Sequence, residues 1–275
     1  MNDNANSHYL DKFNFGKNWS NFINNYLTEE QKAIASQQTL AFLGMKDLSG
    51  KTVLDVGSGS GLFSRVFFEA GARAIVSFDC DKESIKCTEK LRATAKNNSA
   101  NWTILEGSIL NNTFIRALGT FDIVYSWGVL HHTGNMWKAL NNVASCVNKQ
   151  GLIYIAIYNK VPGRGINSSA FWKTEKRFFN KTPLLIQHFI IYLYVINFIF
   201  NMLIRFNNPI AVIKNRKFSR GMSWYTNIVD WLGGYPYEYA SVDEIFYFFY
   251  KKNFELINLK SVTTLDCNEF LFRRK

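Results

Sequence analysis

Residues Val53-Leu54-Asp55-Val56 run without a break into Gly57-Ser58-Gly59-Ser60-Gly61, and an amphipathic segment from Leu62 to Ala70 follows, closed by Gly71. The short apolar run reads as a buried strand and the segment after the glycines as a helix. Glycines at alternate positions let the backbone approach a ligand closely, and the start of the helix offers N–H groups that lack intrahelical partners to the ligand's polar end. Spacing separates this loop from two others of its kind. The dinucleotide fingerprint G-x-G-x-x-G carries its third glycine one residue later, and a phosphate loop ends in Gly-Lys-Ser/Thr, which is absent here.

Outward from the loop, short apolar runs at 53–56, 74–78, 102–106, 122–126 and 152–158 alternate with helix-length segments. Such alternation means βαβ units, which right-handed crossovers close into a parallel sheet covered on both faces. Runs 254–260 and 268–273 read as two closing strands. The expected fold is therefore α/β, a doubly wound, mostly parallel seven-stranded sheet. Residues 1–49 precede it as an Asn-rich, aromatic-bearing irregular arm that docks, then a helix opened by the capping box Thr28/Gln31 and ending near Gly44. Residues 50–159 form the core. Residues 160–240 are too long for an ordinary connection and are expected to form a helical insertion or cap. Residues 241–275 return to the sheet through a helix opened by a second capping box, Ser241/Glu244.

The chain has 275 residues, 47% of them hydrophobic and 19% charged, a globular composition that excludes fibrous and broadly disordered classes. The net charge of +11 is concentrated: residues 160–220 hold eleven basic side chains against the single acid Glu175. The four cysteines form no C-x-x-C pair and no metal-ligand spacing, so no metal site is expected. With an N-terminus that lacks a basic and an apolar signal region, this suggests a reduced, cytoplasmic chain.

The stretch from Val53 to Gly61 resembles the first motif, (V/L)LD(V/I)GxGxG, of the class I S-adenosylmethionine-dependent methyltransferases. The resemblance covers about residues 50–160. Phe15–Trp19 (FGKNW) and Trp231–Glu238 (WLGGYPYE) look like features of a bacterial subgroup distantly similar to the ubiquinone O-methyltransferases. It implies a Rossmann-like methyltransferase fold and S-adenosyl-L-methionine as cofactor. It also implies a cofactor site made of Gly57, Ser58, Gly59 and Gly61, with Asp79 and its neighbour Cys80 at the ribose hydroxyls. Ser108 and Ile109 would lie at the adenine, and Ser126 and Trp127 at the methionine end. Asp55 would hold the loop from beneath, and Phe15 and Trp19 would close over it. In that family an acidic residue often stands where this chain has Ser108. Asp81, with Ser84 after it, reads as a helix cap and not as a ligand.

The acceptor side is read from the strand ends. His131 and His132 follow the fourth strand at the carboxyl edge, where open α/β sheets bind ligands. Adjacent residues at an element's end point in different directions, so at most one faces a substrate; a structural role for both is the plainer alternative. Tyr158 lies along the same edge, and the insertion offers Tyr225, Asp230, Trp231, Tyr235 and Glu238 as the opposite wall. His131, His132 and Asp230 are the candidates for proton removal. The acceptor is expected to be a small molecule, with an anionic group suggested by the net charge, methylated at oxygen or nitrogen. The alternatives are an RNA, a membrane quinone or lipid, or no catalysis at all in a cofactor-fold partner subunit. Nucleic acid is disfavoured because the aromatics sit in an uncharged helix and not among the basic residues.

Leu184–Ile204 carries no charge over 21 positions, long enough to span a bilayer. Strands on both sides of it must join one sheet, which argues against a span. Basic residues flank it (Lys176, Arg177 and Lys181; Arg205, Lys214, Arg216 and Lys217), and Thr182-Pro183 reads as its N-cap and first helical residue. Cap over the pocket, homodimer interface and membrane-surface contact are all open, the last making the chain peripheral to the inner face of a membrane.

Overall fold

The computed structural model describes residues 15–25, 27–95, 101–216 and 224–275, with backbone alone at 214–216, 225 and 226. Helices α1 (Phe15–Asn25) and α2 (Glu29–Leu43) lead into β1 (Thr52–Val56), α3 (Leu62–Glu69), β2 (Ala74–Asp79), α4 (Lys82–Ala93) and β3 (Trp102–Glu106). Then come α5 (Asn112–Leu118), β4 (Phe121–Trp127), α6 (Met136–Ser145) and β5 (Val147–Tyr158). The insertion holds α7 (Ser169–Lys181), α8 (Leu184–Ile204), α9 (Pro209–Arg216) and α10 (Trp224–Gly233). The chain closes with α11 (Val242–Tyr250), β6 (Phe254–Lys260) and β7 (Cys267–Arg274).

The seven strands lie in the order β3-β2-β1-β4-β5-β7-β6. Pairs among β1 to β5 are parallel, and β7 runs antiparallel to both β5 and β6. Register explains why the central strands are continuously apolar. Val53 pairs with Ile75 and Ile123, and this row faces α2 and α3 in a core with Ala35, Leu43, Val66 and Phe67. One residue on, Leu54 pairs with Val76 and Val124 and faces the other side, where Leu140, Val143, Ile245 and Phe249 of α6 and α11 cover it. Each such side chain contributes about 1.5–3 kcal/mol when removed from water, so a polar residue in either row is costly.

Both capping boxes form. Thr28 N–H donates to Gln31 Oε1 at 2.9 Å and Gln31 N–H to Thr28 Oγ at 3.3 Å, and Gly44 ends α2 at φ 68°. Ser241 N–H donates to Glu244 Oε2 at 2.8 Å, and Glu244 N–H returns to Ser241 Oγ at 3.4 Å. Two local expectations are corrected. The arm is not irregular throughout: residues 15–25 form a helix that buries Phe22 completely, and residues 1–14 lie outside those described. Pro183 is the cap of α8 and not its first residue, because Thr182 is extended and turns its hydroxyl back to the Phe179 carbonyl at 2.8 Å.

The strand order reverses between β1 and β4, so the carboxyl ends of β1, β2 and β4 open on one crevice, the usual ligand position in such sheets. Helix α1 and the insertion lie over that crevice.

Candidate active site

A cavity of about 1440 Å³ runs along the carboxyl edge, bounded by the glycine loop at one end and by α8 and α10 at the other. Gly57 and Gly59 adopt φ 74° and 53°, which L side chains rarely adopt. A Cβ on Gly57 would lie 2.4 Å from Val129, and one on Gly59 would lie 2.9 Å from the indole nitrogen of Trp19. Gly61 serves differently. It is packed against Thr88 of α4, and its missing side chain brings that helix close, so it does not line the cavity.

Asp79, at the end of β2, reaches back to the loop. Its Oδ2 accepts Gly59 N–H at 3.0 Å and its Oδ1 accepts Asp81 N–H at 3.0 Å. An ionised carboxylate offers about four lone-pair directions, and these two bonds together with the Cys80 N–H leave about one for a ligand hydroxyl. Burial raises its pKa to about 6, with those backbone N–H bonds and that of Cys80 pulling the other way. Cys80, Ser108 and Ile109 line the same end of the cavity. The Ser108 hydroxyl accepts Leu110 N–H at 3.2 Å and presents no carboxylate.

Asp55 touches the cavity but its carboxylate is engaged beneath the loop, accepting from Ser64 of α3. Ser64 in turn meets Ser77 at 2.7 Å, and Ser77 accepts from the Trp102 indole at 2.8 Å. This buried chain ties β1, α3, β2 and β3 together; desolvation raises the Asp55 pKa to about 7. Asp81 caps α4 through Glu83 N–H at 2.9 Å, and its second oxygen accepts Gly16 N–H at 2.8 Å, which holds the arm in place. Trp127 faces the cavity, whereas Ser126 is fully buried and donates to the Val56 carbonyl at 3.2 Å, away from it. Phe15 and Trp19 of α1 form part of the wall.

At the far end the two histidines part. His132 lines the cavity; its Nδ1 meets the Pro236 carbonyl at 2.6 Å. A carbonyl only accepts, so the proton sits on Nδ1 and Nε2 carries the lone pair. Desolvation lowers its pKa to about 3, and it stays neutral at any ordinary pH. His131 is completely buried and does not line the cavity; its Nδ1 accepts Tyr158 N–H at 3.2 Å and its carbonyl accepts Glu238 N–H at 2.9 Å. It staples β5 and the 234–240 segment together, so the expectation of a catalytic His131 is corrected. Glu238 is corrected likewise: its carboxylate accepts Met136 N–H at 3.0 and 3.1 Å, capping α6 instead of facing an acceptor.

Asp230, Trp231, Tyr235 and Tyr158 all border the cavity. Asp230 accepts from the Asn18 side-chain amide at 2.6 Å, and burial raises its pKa to about 7. The Tyr225 side chain lies outside the described residues. Lys176, read from the sequence as a basic flank, is completely buried: its ammonium lies 4.2 Å from the ring centre of Trp231 and 5.1 Å from that of Tyr237. Desolvation lowers its pKa to about 7. Trp172 four residues before it and Phe179 three residues after it share its helix face, a periodicity that marks the face as inward. Sequence reasoning missed Asn18 and Lys176, which do not line the cavity but contact Asp230 and Trp231, which do.

A doubly wound sheet, a glycine loop after β1 and a carboxylate at the end of β2 that borders the cavity are the frame of a nucleoside-cofactor domain, and the cavity has room for a second molecule. The chain belongs to the methyltransferase domain family, whose model matches residues 26–183, as a distant class I S-adenosylmethionine-dependent methyltransferase. It is 32% identical over 120 residues to the mitochondrial ubiquinone biosynthesis O-methyltransferase of Dictyostelium discoideum, covering 41% of this chain and 37% of that protein. To the ubiquinone biosynthesis O-methyltransferase of Parvibaculum lavamentivorans it is 28% identical over 135 residues, 49% of this chain and 50% of the other. The chain thus spans half or less of the length of these curated relatives. Among solved structures, it is similar to magnesium protoporphyrin IX methyltransferase of Synechocystis PCC 6803 with bound SAH, with a TM-score of 0.50 at 14% identity, covering 89% of this chain and 83% of that one. A putative S-adenosylmethionine-dependent methyltransferase from Listeria monocytogenes gives 0.51 at 12% identity, covering 88% and 99%. At these identities the structures speak for the fold.

Proposed function

We propose that this chain transfers the methyl group of S-adenosylmethionine to an oxygen or nitrogen of a small acceptor held between His132, Tyr158, Asp230, Trp231 and Tyr235. The observation that carries the reading is continuity: the loop with Asp79 and the pair His132 and Asp230 border one cavity. The residues suit the cofactor, because Gly57 and Gly59 bring bare backbone to the cavity in conformations that L side chains rarely adopt, and Asp79 borders it with acceptor capacity left for a ribose hydroxyl. When bound, S-adenosylmethionine supplies an electrophilic methyl on a sulfonium. Asp230, with a pKa near working pH, is the group matched to take the acceptor's proton. His132, neutral and with Nε2 as acceptor, orients a hydroxyl or amine N–H. Trp231 and Tyr235 supply flat apolar surface for the acceptor's body.

The cavity wall carries Asp55, Asp79, Asp81, Asp230, Asp266 and Glu269 against Lys82 and Lys260. A neutral acceptor suits it better than an anionic one. The test is release of S-adenosylhomocysteine across a panel of phenols, alcohols and amines. Asp230→Asn should lower turnover by about 10²-fold or more while leaving S-adenosylhomocysteine affinity within a few-fold; equal turnover in the variant overturns the assignment.

A further inference from the structure

Helix α8 has two apolar faces, and among the described residues only one of them is packed. Ile191, Tyr194, Val195 and Phe198 face inward, with Ile191 in the small core it shares with Phe179, Ile228 and Leu232, and Tyr194 and Phe198 on the cavity wall. On the opposite side Leu185, Phe189, Tyr192, Leu193, Ile196 and Phe200 fall within about 100° of one another at 3.6 residues per turn. These six expose between 44 and 81% of their surface. Asn197 and Asn201 mark one border between the two faces and His188 the other. Phe206, 99% exposed, and Ile210, 64% exposed, carry the outer patch beyond the helix end. Soluble monomers rarely leave a contiguous apolar patch of more than a few hundred Å² in water.

We infer that this outer face docks on an anionic lipid bilayer surface, with α8 lying in the plane of the interface. Charge selects the occupant. Of the eleven basic residues between 160 and 220, Arg177 and Lys181 are exposed in the last turns of α7, just ahead of α8, and Arg205 is exposed at its end. Each basic residue held near an anionic surface adds to binding, and the tyrosine among the aliphatics suits an interfacial depth. A second copy of the chain fits less well, because a two-fold contact through this face would bring the same basic flanks against each other. A span is also disfavoured, since the inner face of α8 is packed on α7 and α10 and cannot meet lipid all round. With Tyr194 and Phe198 on its inner side, the docked helix would separate the membrane from the acceptor cavity by one helix thickness. The inference does not rest on the methyl-transfer reading.

Co-sedimentation of the full chain with phosphatidylcholine vesicles, with and without phosphatidylglycerol, tests it without any acceptor. Binding is expected to the phosphatidylglycerol vesicles and to be at least about ten-fold weaker to phosphatidylcholine alone. The triple variant Phe189→Ser, Leu193→Ser, Phe200→Ser changes side chains that lie mostly in solvent, so the fold should survive, which circular dichroism checks. It should reduce binding at least about ten-fold. Arg177→Glu with Arg205→Glu should do the same at low salt and matter less at high salt. Vesicle binding that ignores both variants overturns the inference. So does a dimer in analytical ultracentrifugation that the triple variant dissociates while no vesicle binding is seen. Fractionation with membranes that resists both salt and alkaline carbonate would show a span and overturn it as well.

Discussion

The side-chain amide of Asn18 donates to the carboxylate of Asp230 at 2.6 Å, joining the arm to the insertion across 212 residues of sequence. The same helix α1 is held to the cofactor end through Gly16 and Asp81 at 2.8 Å, so one short helix bridges both ends of the cavity. Asp230 is half-buried, and the Asn18 bond is the first influence that opposes its raised pKa of about 7. Asn18→Ala removes that bond and should raise the pKa further. A base must be deprotonated to work, so the acid limb of kcat/KM against pH should move to higher pH. The profile of the variant beside the parent checks this, and an unmoved limb would separate Asn18 from the chemistry.

The two histidines should fail in different ways. His132→Ala opens the cavity wall and should cost about 10²-fold in turnover with little change in melting temperature. His131→Ala leaves the buried Tyr158 N–H without its acceptor and should cost about 1–3 kcal/mol of stability. Parallel thermal melts and rate measurements separate the two outcomes. An exchange of these roles would contradict the geometry of the Leu130–His132 turn.

Lys176 is buried against Trp231 and Tyr237, and its pKa falls from 10.5 in the unfolded chain to about 7 in the fold. Between these values the unfolded state binds more protons, so this residue makes stability rise with pH from about 7 upward. The penalty is fully present below about pH 7 and is relieved as pH approaches 10.5. The slope it contributes approaches about 1.4 kcal/mol per pH unit. Lys176→Met should stabilise the protein near neutral pH, and its advantage should shrink as pH rises. Urea unfolding of parent and variant at neutral and mildly alkaline pH measures it, and a constant difference would refute the burial argument.

The sheet was legible because its signals are local: strand, glycine loop and helix succeed one another within Val53–Glu69, and the capping boxes at Thr28 and Ser241 lie within four residues. The cofactor end was readable for the same reason, since Gly57, Gly59 and Asp79 sit where strands end. The acceptor end was less readable. Which histidine faces the cavity depends on one turn after β4, and Glu238 finds Met136 across 102 residues. Lys176 was misread because charge argues for exposure, although its neighbours on the helix, Trp172 and Phe179, are apolar. Helix α8 was legible as apolar but not as two-faced, because hydropathy does not say which side has partners.

The central claim is that the Gly57–Gly59 loop and Asp79 hold S-adenosylmethionine. Calorimetric titration of the parent and of Asp79→Ala with S-adenosylhomocysteine tests it most directly. The parent should bind saturably, and the variant should bind more weakly by about 1–3 kcal/mol, the range for a hydrogen bond to a charged group, with no competition from NAD. With a carboxylate pKa of about 6, parent affinity should also fall as pH drops through that value, because a protonated Asp79 accepts less well from a diol. Equal affinity in parent and variant, or displacement by NAD, would contradict it.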